Sequence, residues 1–292
     1  MSDVALTQAT GVVPPASRSG RRRAGWRPGL VLAALFVGLL VLAAVAPGLL
    51  AHGDPLEGNA RDAFGLPFSA QHLLGTDENG RDVWTRLIHG ARPSLLMGVG
   101  ATLVGVIFGV GLGLAAGLGQ KWLDTVLMRF VDVLLAFPDL LLALVFIAIW
   151  GQGLVNATLA VGVASIPRYA RLVRAQTVQV RQSGYVEAAR TLGWHPLVIL
   201  WRHVLPNAVR PVLPLATIGI GAKIALGAAL SFLGFGSPPP SPEWGAMLAL
   251  GRNFMSNAWW LVAMPGITIT LTVVSITTLG RELLLRSEGK SS

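Results

Sequence analysis

The chain has 292 residues, of which 53% are hydrophobic and 13% are charged, and its mean hydropathy is +0.62. Because such a small share of polar residues cannot cover the surface of a soluble globular protein of this size, the composition predicts an integral membrane protein. The net charge of +9 does not indicate nucleic-acid binding, because the arginines lie beside apolar spans and no nucleic-acid-binding motif is present. With no cysteine, disulfides and thiolate metal sites are excluded.

The N-terminal region predicts a basic tail followed by a first transmembrane helix. Residues 1–29 contain five arginines and a single acid, Asp3, which predicts a disordered tail on the cytoplasmic side. The apolar run 30–50 imitates a signal peptide, with Ala44-Val45-Ala46 resembling a cleavage site. Because Pro47 would block cutting and 21 residues are long enough to span, we expect an uncleaved helix.

Residues 51–93 change character, because acidic side chains outnumber basic ones there. We therefore expect this loop outside the membrane. Within it, residues 72–82 combine a turn at Asn79-Gly80 with an amphipathic segment that follows at residues 83–88. Such an acid-rich loop either is merely solvated or has a structural or partner-facing role. The acids are Asp54, Glu57, Asp62, Asp77, Glu78 and Asp82.

Residues 94–284 predict a core of five further spans, with a short cytoplasmic tail at residues 285–292. The fourth span overall has an apolar part of only 13 residues and is expected to continue into the cytoplasm with a basic face. Six spans place both termini in the cytoplasm and satisfy the charge asymmetry. The five spans run over 94–118, 126–150, from 154 onward, 208–235 and 261–280.

Four glycines in the second span recur every four residues, at Gly105, Gly109, Gly113 and Gly117. This spacing places them on one helix face, where they allow a neighbouring helix to approach closely. The same region also matches the glycine pattern of a dinucleotide-binding site. It does not indicate such a site, because no strand precedes it.

Ionisable residues within the later spans are candidates for the transport pathway. Arg129 and Asp132 lie one turn apart and are expected to pair or to extend toward the interface. Pro138 is expected to bend the third span, and Asp139 beside it should face the protein interior or an aqueous path. Asp139 and Lys223 are therefore pathway candidates, with structural pairing as the alternative for Asp139.

A cytoplasmic loop over residues 175–207 carries the most ordered motif. Seven arginines against one acid, Glu187, lie between residues 168 and 210. The local signals predict two short helices: Ser183 caps the first, Gly193 ends it, Pro196 begins the second, and Leu205-Pro206 closes it. Small Ala188 and Ala189 leave room for another protein to dock. An amphipathic loop that holds a lipid headgroup is the alternative.

The loop between the last two spans, residues 236–245, contains four prolines and predicts extended polyproline geometry outside the membrane. Three tryptophans nearby fit the belt of aromatic side chains at the outer membrane interface. They are Trp244, Trp259 and Trp260.

Several motifs together resemble the permease subunits of binding-protein-dependent ABC importers, in the oligopeptide, dipeptide and nickel branch. They are Gly75-Thr-Asp77 and Gly80-Arg-Asp82, Arg129-Phe-Val-Asp132, residues 167–174, Glu187-Ala-Ala with Gly193 and Leu205-Pro206, and Ser231-Phe-Leu-Gly-Phe-Gly236 with Glu243-Trp-Gly245. The resemblance covers roughly residues 30 to 280. It implies an all-α fold of six transmembrane helices of the type I importer kind, with cytoplasmic coupling helices.

The same resemblance implies the partners and the coupling residues. The chain would pair with a homologous second permease subunit, two cytoplasmic ATPases and an external solute-binding protein in a bacterial inner membrane. Specificity for peptides, nickel chelates, glutathione or another solute would lie largely in the binding protein. No cofactor is expected in this chain, since ATP and Mg would be bound by the ATPases. The ATPase-coupling residues would be Tyr185, Val186, Glu187, Ala188, Ala189, Arg190 and Gly193.

No catalytic or metal site is expected. Gly289-Lys290-Ser291 echoes a phosphate-binding loop but lacks its earlier glycine and the strand before it. The five histidines show no metal-ligand spacing. The alternative function is an ion-coupled secondary transporter that uses Asp139 and Lys223, which predicts inverted repeats that the halves of this chain do not show.

Overall fold

A computed structural model describes residues 28–287, and within that range it contains helices, turns and one isolated bridge. The predicted basic tail, apart from its last two residues, and the Gly289-Lys290-Ser291 motif lie outside the described residues. The helices, in chain order, are α1 Pro28–Val45, α2 Val83–Leu118, α3 Lys121–Leu135, α4 Asp139–Trp150, α5 Leu154–Arg181, α6 Gly184–Thr191, α7 Pro196–Ile199, α8 Leu205–Val209, α9 Val212–Phe232, α10 Trp244–Gly251 and α11 Trp260–Ser287.

The first two spans differ from their predicted bounds at the outer side. Helix α1 ends at Val45, and a short 3₁₀ turn, Pro47–Leu49, follows, because proline disfavours helix at the residue before it. Helix α2 is 36 residues long and joins the predicted amphipathic segment to the predicted span without a break. It passes through Pro93, and the Asp82 carboxylate accepts a hydrogen bond from the Thr85 backbone N–H at its start.

The third predicted span is two helices rather than one bent helix. Helices α3 and α4 meet at an angle of 97°, with Phe137 and Pro138 between them. Pro138 has no N–H to continue the helical ladder, and Asp139 begins the next helix. The predicted site of the bend was therefore right, but the predicted single span over 126–150 is two helices.

Four helices in the described range are long and apolar enough to cross a membrane, and a fifth is added if α3 and α4 together form one broken span. These four are α1, α2, α9 and α11. The remaining predicted span is the first half of α5. That helix runs for 28 residues into a second half that carries Arg168, Arg171, Arg174 and Arg181, which matches the expected continuation with a basic face.

The glycine row on α2 lies against α5, the helix that α2 contacts most extensively. A Cβ added at Gly109 would lie 2.6 Å from the Tyr169 Cβ, and one at Gly113 would lie 2.6 Å from the Ala170 carbonyl oxygen. Gly105 and Gly117 meet α5 in the same way. The two helices therefore approach at backbone distance along four turns.

The predicted outer loop, which precedes α10, differs from its prediction. Residues 236–243 form bends and a turn, in which the Ser241 N–H donates to the Pro238 carbonyl, rather than a polyproline rod. Helix α10 then begins at Trp244 and packs against α9 and α11. Trp244 and Trp260 are buried and do not lie in an interfacial belt, whereas Trp259 is 52% exposed. Burial is possible because the indole N–H of Trp244 donates to the Leu87 carbonyl and that of Trp260 to the Thr76 carbonyl.

Candidate coupling and transport site

The predicted coupling loop, residues 175–207, begins in the last turns of α5, and α6 follows the end of α5 after a two-residue break. Gly193 has a φ of +77°, a conformation that favours glycine, and its N–H donates to the Arg190 carbonyl. Ser183 precedes the helix as predicted. However, its hydroxyl donates back to the Val180 carbonyl instead of capping α6, so the predicted side-chain cap was wrong.

The inner face of α6 packs on a small apolar core that belongs to this chain. Val186 and Ala189, three residues apart, both point into it. Ala189 therefore does not leave room for another protein, and Val186 is also inaccessible, contrary to the prediction. The core comprises Val180, Val186, Ala189, Ile199 and Val204, with Leu118 and Leu200 packed against it.

The second arm of the loop starts at Pro196 as predicted, but it does not end at Leu205-Pro206. A π-helical turn, Leu200–Val204, joins α7 to α8, and the Leu205 N–H donates to the Leu200 carbonyl five residues earlier. Pro206 then lies in the first turn of α8, where its missing N–H is tolerated. The arm therefore stays helical as far as Val209.

The outward surface of the loop is large and apolar for a region that carries so many arginines. We define the coupling surface as the exposed residues Tyr185, Glu187, Ala188, Arg190, Leu192, Trp194, Leu197, Val198 and Trp201. Leu192 is 75% exposed and Trp201 is 68% exposed. His203 lies behind it, between the rings of Tyr185 and Trp194, and its Nε2 is buried without a hydrogen-bond partner among the described residues. Such a surface is typical of a protein interface.

Three ion pairs connect α5 to the broken helix pair α3 and α4. Arg168, Arg171 and Arg174 share one face of α5 because they are three residues apart. They pair with Asp139, Asp132 and Asp124 respectively, and the Arg174–Asp124 pair is bidentate. Asp132 therefore pairs with Arg171 of α5 rather than with Arg129, which was one of the two expected arrangements, because the arginine face of α5 lies alongside it. The pairs bridge the 97° bend on both sides.

A cleft of about 630 Å³ opens beside these pairs, between α3, α5 and α9. Its lining includes Lys223, which is only 3% exposed and whose Nζ lies 5.4 Å from the centre of the Tyr169 ring. Asp139 does not line the cleft; it holds Arg168, which does, at 2.9 Å. Asp139 thus holds Arg168, which lines the same cleft as Lys223.

The end of the molecule that is predicted to lie outside, called the outer end below, contains buried charged groups that meet partners within the chain. Arg86 is 2% exposed, donates to the carbonyl of Pro55 at 2.9 Å and to that of Pro240 at 3.3 Å, and lies 3.6 Å from Asp77. It thereby joins the acid-rich loop to the loop before α10. Arg86 was missed as a structural centre because Pro55 and Pro240 lie far from it along the chain.

Glu243 is the second buried ionisable residue at the outer end, beside Ser94 of α2 and Ser231 of α9. Its carboxylate accepts hydrogen bonds from the N–H groups of Gly245 and Ala246 and so caps α10. Burial raises the pKa of Glu243 above its usual value of 4.5, and the two N–H groups offset part of this effect. Glu243-Trp-Gly245 therefore has a structural role at this site.

Two groups of site residues were not assigned to a site from the sequence. Arg168, Tyr169 and Arg171 line the cleft, whereas the sequence indicated only a basic helix face and a family motif over residues 167–174. The exposed apolar residues after Gly193 could have been found from the short amphipathic repeat Leu197, Val198, Trp201. Among residues 28–287, no group of three histidine, aspartate or glutamate side chains is placed to hold a metal ion.

Comparisons with known proteins agree with this geometry. Residues 109–284 match the family described as "binding-protein-dependent transport system inner membrane component". A di/tripeptide transport system permease protein, DppC, of Pseudomonas aeruginosa is 43% identical, over 84% of this chain and 83% of the relative. A glutathione transport system permease protein, GsiD, of Pectobacterium atrosepticum is 42% identical, over 86% of this chain and 83% of the relative.

Solved structures show the same fold. The inward-facing methionine ABC transporter MetNI matches with a TM-score of 0.57 at 19% identity, over 69% of this chain and 96% of the matched chain. An amino acid ABC transporter solved with histidines matches with a TM-score of 0.55 at 18% identity, over 69% of this chain and 94% of the other. The ion-coupled alternative has no support among these matches. The chain therefore belongs to the inner membrane components of binding-protein-dependent transport systems, as a permease subunit of the type I ABC importer fold.

Proposed function

We propose that this permease forms, with a homologous second permease subunit, the pathway by which di- or oligopeptides or a similar small solute enter the cell. The relatives that carry peptide and glutathione names support the solute class. An external binding protein delivers the solute. Two cytoplasmic ATPases bind ATP and Mg and dock on the coupling loop, with both termini of this chain on the same side.

The coupling surface is the observation that carries this proposal. It presents apolar side chains as large as Trp201 and Leu192 to solvent, although the loop has its own core and needs no further cover to fold. It is also joined to the cleft, because α5 runs without a break from Arg168 to Arg181, and only two residues separate Arg181 from the start of α6. Force applied to α6 would thus reach the ion pairs that hold the bend between α3 and α4.

Transport by reconstituted complexes tests the proposal. Glu187→Lys reverses the one acid on the exposed face of α6, and Gly193→Asp forces a side chain into a left-handed conformation. Both variants should insert in the membrane, lose ATP-dependent peptide uptake and bind the ATPases more weakly. Glu57→Lys, an exposed charge reversal in the outer loop, is the matched control and should keep ATPase association. Normal uptake by both coupling variants would contradict the proposal.

The source of energy gives a second, simpler test. The purified chain should neither bind nor hydrolyse ATP, whereas the assembled complex should do both. Turnover by the isolated chain would overturn the assignment of ATP to partner subunits. Uptake that survives ATP depletion but collapses with a proton uncoupler would overturn ATP coupling as a whole.

A further inference from the structure

The cleft between α3, α5 and α9 contains a cation that the fold does not neutralise. Lys223 is only 3% exposed, and within residues 28–287 no carboxylate lies within ion-pair distance of it. The ammonium group has a cation–π contact with the Tyr169 ring, and Asp139 attracts it from beyond ion-pair distance. A buried ammonium without an anion is costly, so one retained in a cleft indicates a missing partner.

The neighbouring charges do not supply that partner. Arg168 and Arg171 also line the cleft, and their acids, Asp139 and Asp132, are held in ion pairs and do not line it. Each of the two ion pairs is neutral overall, so the charge of Lys223 gives the cleft an excess positive charge. The electrostatic potential inside the cleft therefore favours an anionic group.

Beside these charged groups, much of the cleft wall is apolar. Four of the lining residues, Leu135, Leu172, Leu215 and Ile218, are large aliphatic side chains. The Tyr169 hydroxyl lies against Gly219, one turn before Lys223, where a Cβ would approach it to 2.4 Å. An ammonium and a phenol beside the aliphatic side chains of the cleft are suited to a molecule with one anionic end and an apolar body.

We propose that Lys223, with the Tyr169 hydroxyl and Arg168 beside it, forms a subsite for the carboxylate of the transported solute. In a peptide this group is the C-terminal carboxylate, and the aliphatic wall contacts the adjacent side chain. The subsite rests on the proposed function, since it requires a carboxylate-bearing solute in the pathway. It gives the permease a selectivity of its own, in addition to that of the binding protein.

Paired substrates test the subsite in the complete complex reconstituted in vesicles. The probes are one dipeptide with a free C-terminal carboxylate and the same dipeptide as its C-terminal amide. Lys223→Met keeps the length of the side chain and removes the charge, and Lys223→Arg keeps the charge. The binding protein is the same throughout, so its own preference cancels when each variant is compared with the unmodified complex. Lys121→Met, at an exposed position outside the cleft, is the matched control.

We expect Lys223→Met to lower uptake of the free acid about tenfold or more relative to the amide, as for a lost hydrogen bond to a charged group. Lys223→Arg should retain most of the preference, and Lys121→Met should match the unmodified complex. Equal loss for acid and amide would overturn the subsite, because Lys223 would then act without contacting the solute carboxylate. Loss that depends on the anionic lipid content of the vesicles would overturn it in favour of a lipid headgroup.

The outcome also separates this inference from the function on which it rests. Robust ATP-dependent uptake of both peptides with an unchanged acid-to-amide ratio in Lys223→Met would overturn the subsite alone. No ATP-dependent uptake of either peptide by the unmodified complex would overturn the proposed peptide transport, and the subsite with it.

Discussion

The outer end of this protein and its coupling loop are built from the same residue types but are completed differently. At the outer end, Arg86, Glu243, Trp244 and Trp260 are buried, and the polar atoms of each meet a partner within the chain. In the coupling loop, Trp201 is exposed and His203 has a buried nitrogen without a partner among the described residues. Apart from the Ser231 hydroxyl, which has no hydrogen-bond partner among residues 28–287, the first region is completed by its own fold. The second region presents exposed apolar side chains that another protein could cover.

The largest expected effect on stability is at the outer end, with Arg86→Met. This variant leaves Asp77 without its close buried cation and two carbonyls without a donor, so it should lower the free energy of unfolding by about 3–5 kcal/mol. Thermal unfolding of the chain in detergent measures the effect. Arg61→Met, at an exposed arginine in the same loop, should change it by less than about 0.5 kcal/mol. Equal stability of the two variants would show that the outer end is not held by Arg86.

The contact between α2 and α5 joins the two regions and is the next most sensitive. Gly113→Leu should cost about 1–3 kcal/mol, because its Cβ would lie 2.6 Å from the Ala170 carbonyl oxygen. Gly111→Leu introduces the same side chain two residues away, where a Cβ meets nothing within 4 Å, and should be tolerated. Melting temperatures of the pair, measured side by side in detergent, should differ. If both variants melt together, close packing of the glycine row is not needed.

The buried Glu243 gives the stability of the outer end a dependence on pH. Its pKa is raised in the folded state, so the folded chain binds this proton more tightly than the unfolded chain does. Its contribution to stability is fully present below about pH 4.5 and is lost as the pH rises through the folded pKa, by at most about 1.4 kcal/mol per pH unit. Glu243→Gln should flatten this part of the unfolding profile, and Glu57→Gln should not. A profile unchanged by Glu243→Gln would place the titration elsewhere.

The smallest expected effect on the stability of the chain is at the coupling surface, with Trp201→Ala. Because this side chain is 68% exposed, its loss should change the free energy of unfolding by less than about 0.5 kcal/mol. Association with the ATPases should nevertheless weaken, since aromatic anchors dominate interfaces. Trp259→Ala, which removes an exposed tryptophan outside the coupling loop, is the control and should leave association unchanged. A Trp201 variant that is unstable yet still binds ATPase normally would reverse the comparison.

The sequence predicted the features that depend on local pattern. The glycine spacing on α2, the stop at Gly193, the start at Pro196 and the bend at Pro138 each follow from the chemistry of one or a few neighbouring residues. The features that were wrong or missed depend on partners far along the chain. Trp244 was assigned to an interface because nothing local shows that the Leu87 carbonyl, 157 residues away, accepts its indole N–H.

The candidate site divides in the same way. The exposed face of α6 could be named from a short motif, yet the inward direction of Val186 and Ala189 required the small core supplied by Val180, Ile199 and Val204. Lys223 stood out as a charge within an apolar span. Its position beside Tyr169 and Arg168 became visible only when α5 and α9 were placed together.

The most direct test of the account is the location of single cysteines, since the natural chain contains none. Leu192→Cys lies on the coupling surface and Leu73→Cys on the outer loop, and both positions are well exposed. In intact cells, a membrane-impermeant thiol reagent should label Leu73→Cys and not Leu192→Cys, and only Leu192→Cys should cross-link to an ATPase subunit. Labelling of Leu192→Cys from outside, with no cross-link to the ATPase, would contradict the central claim that this loop is where the energy of ATP enters the permease.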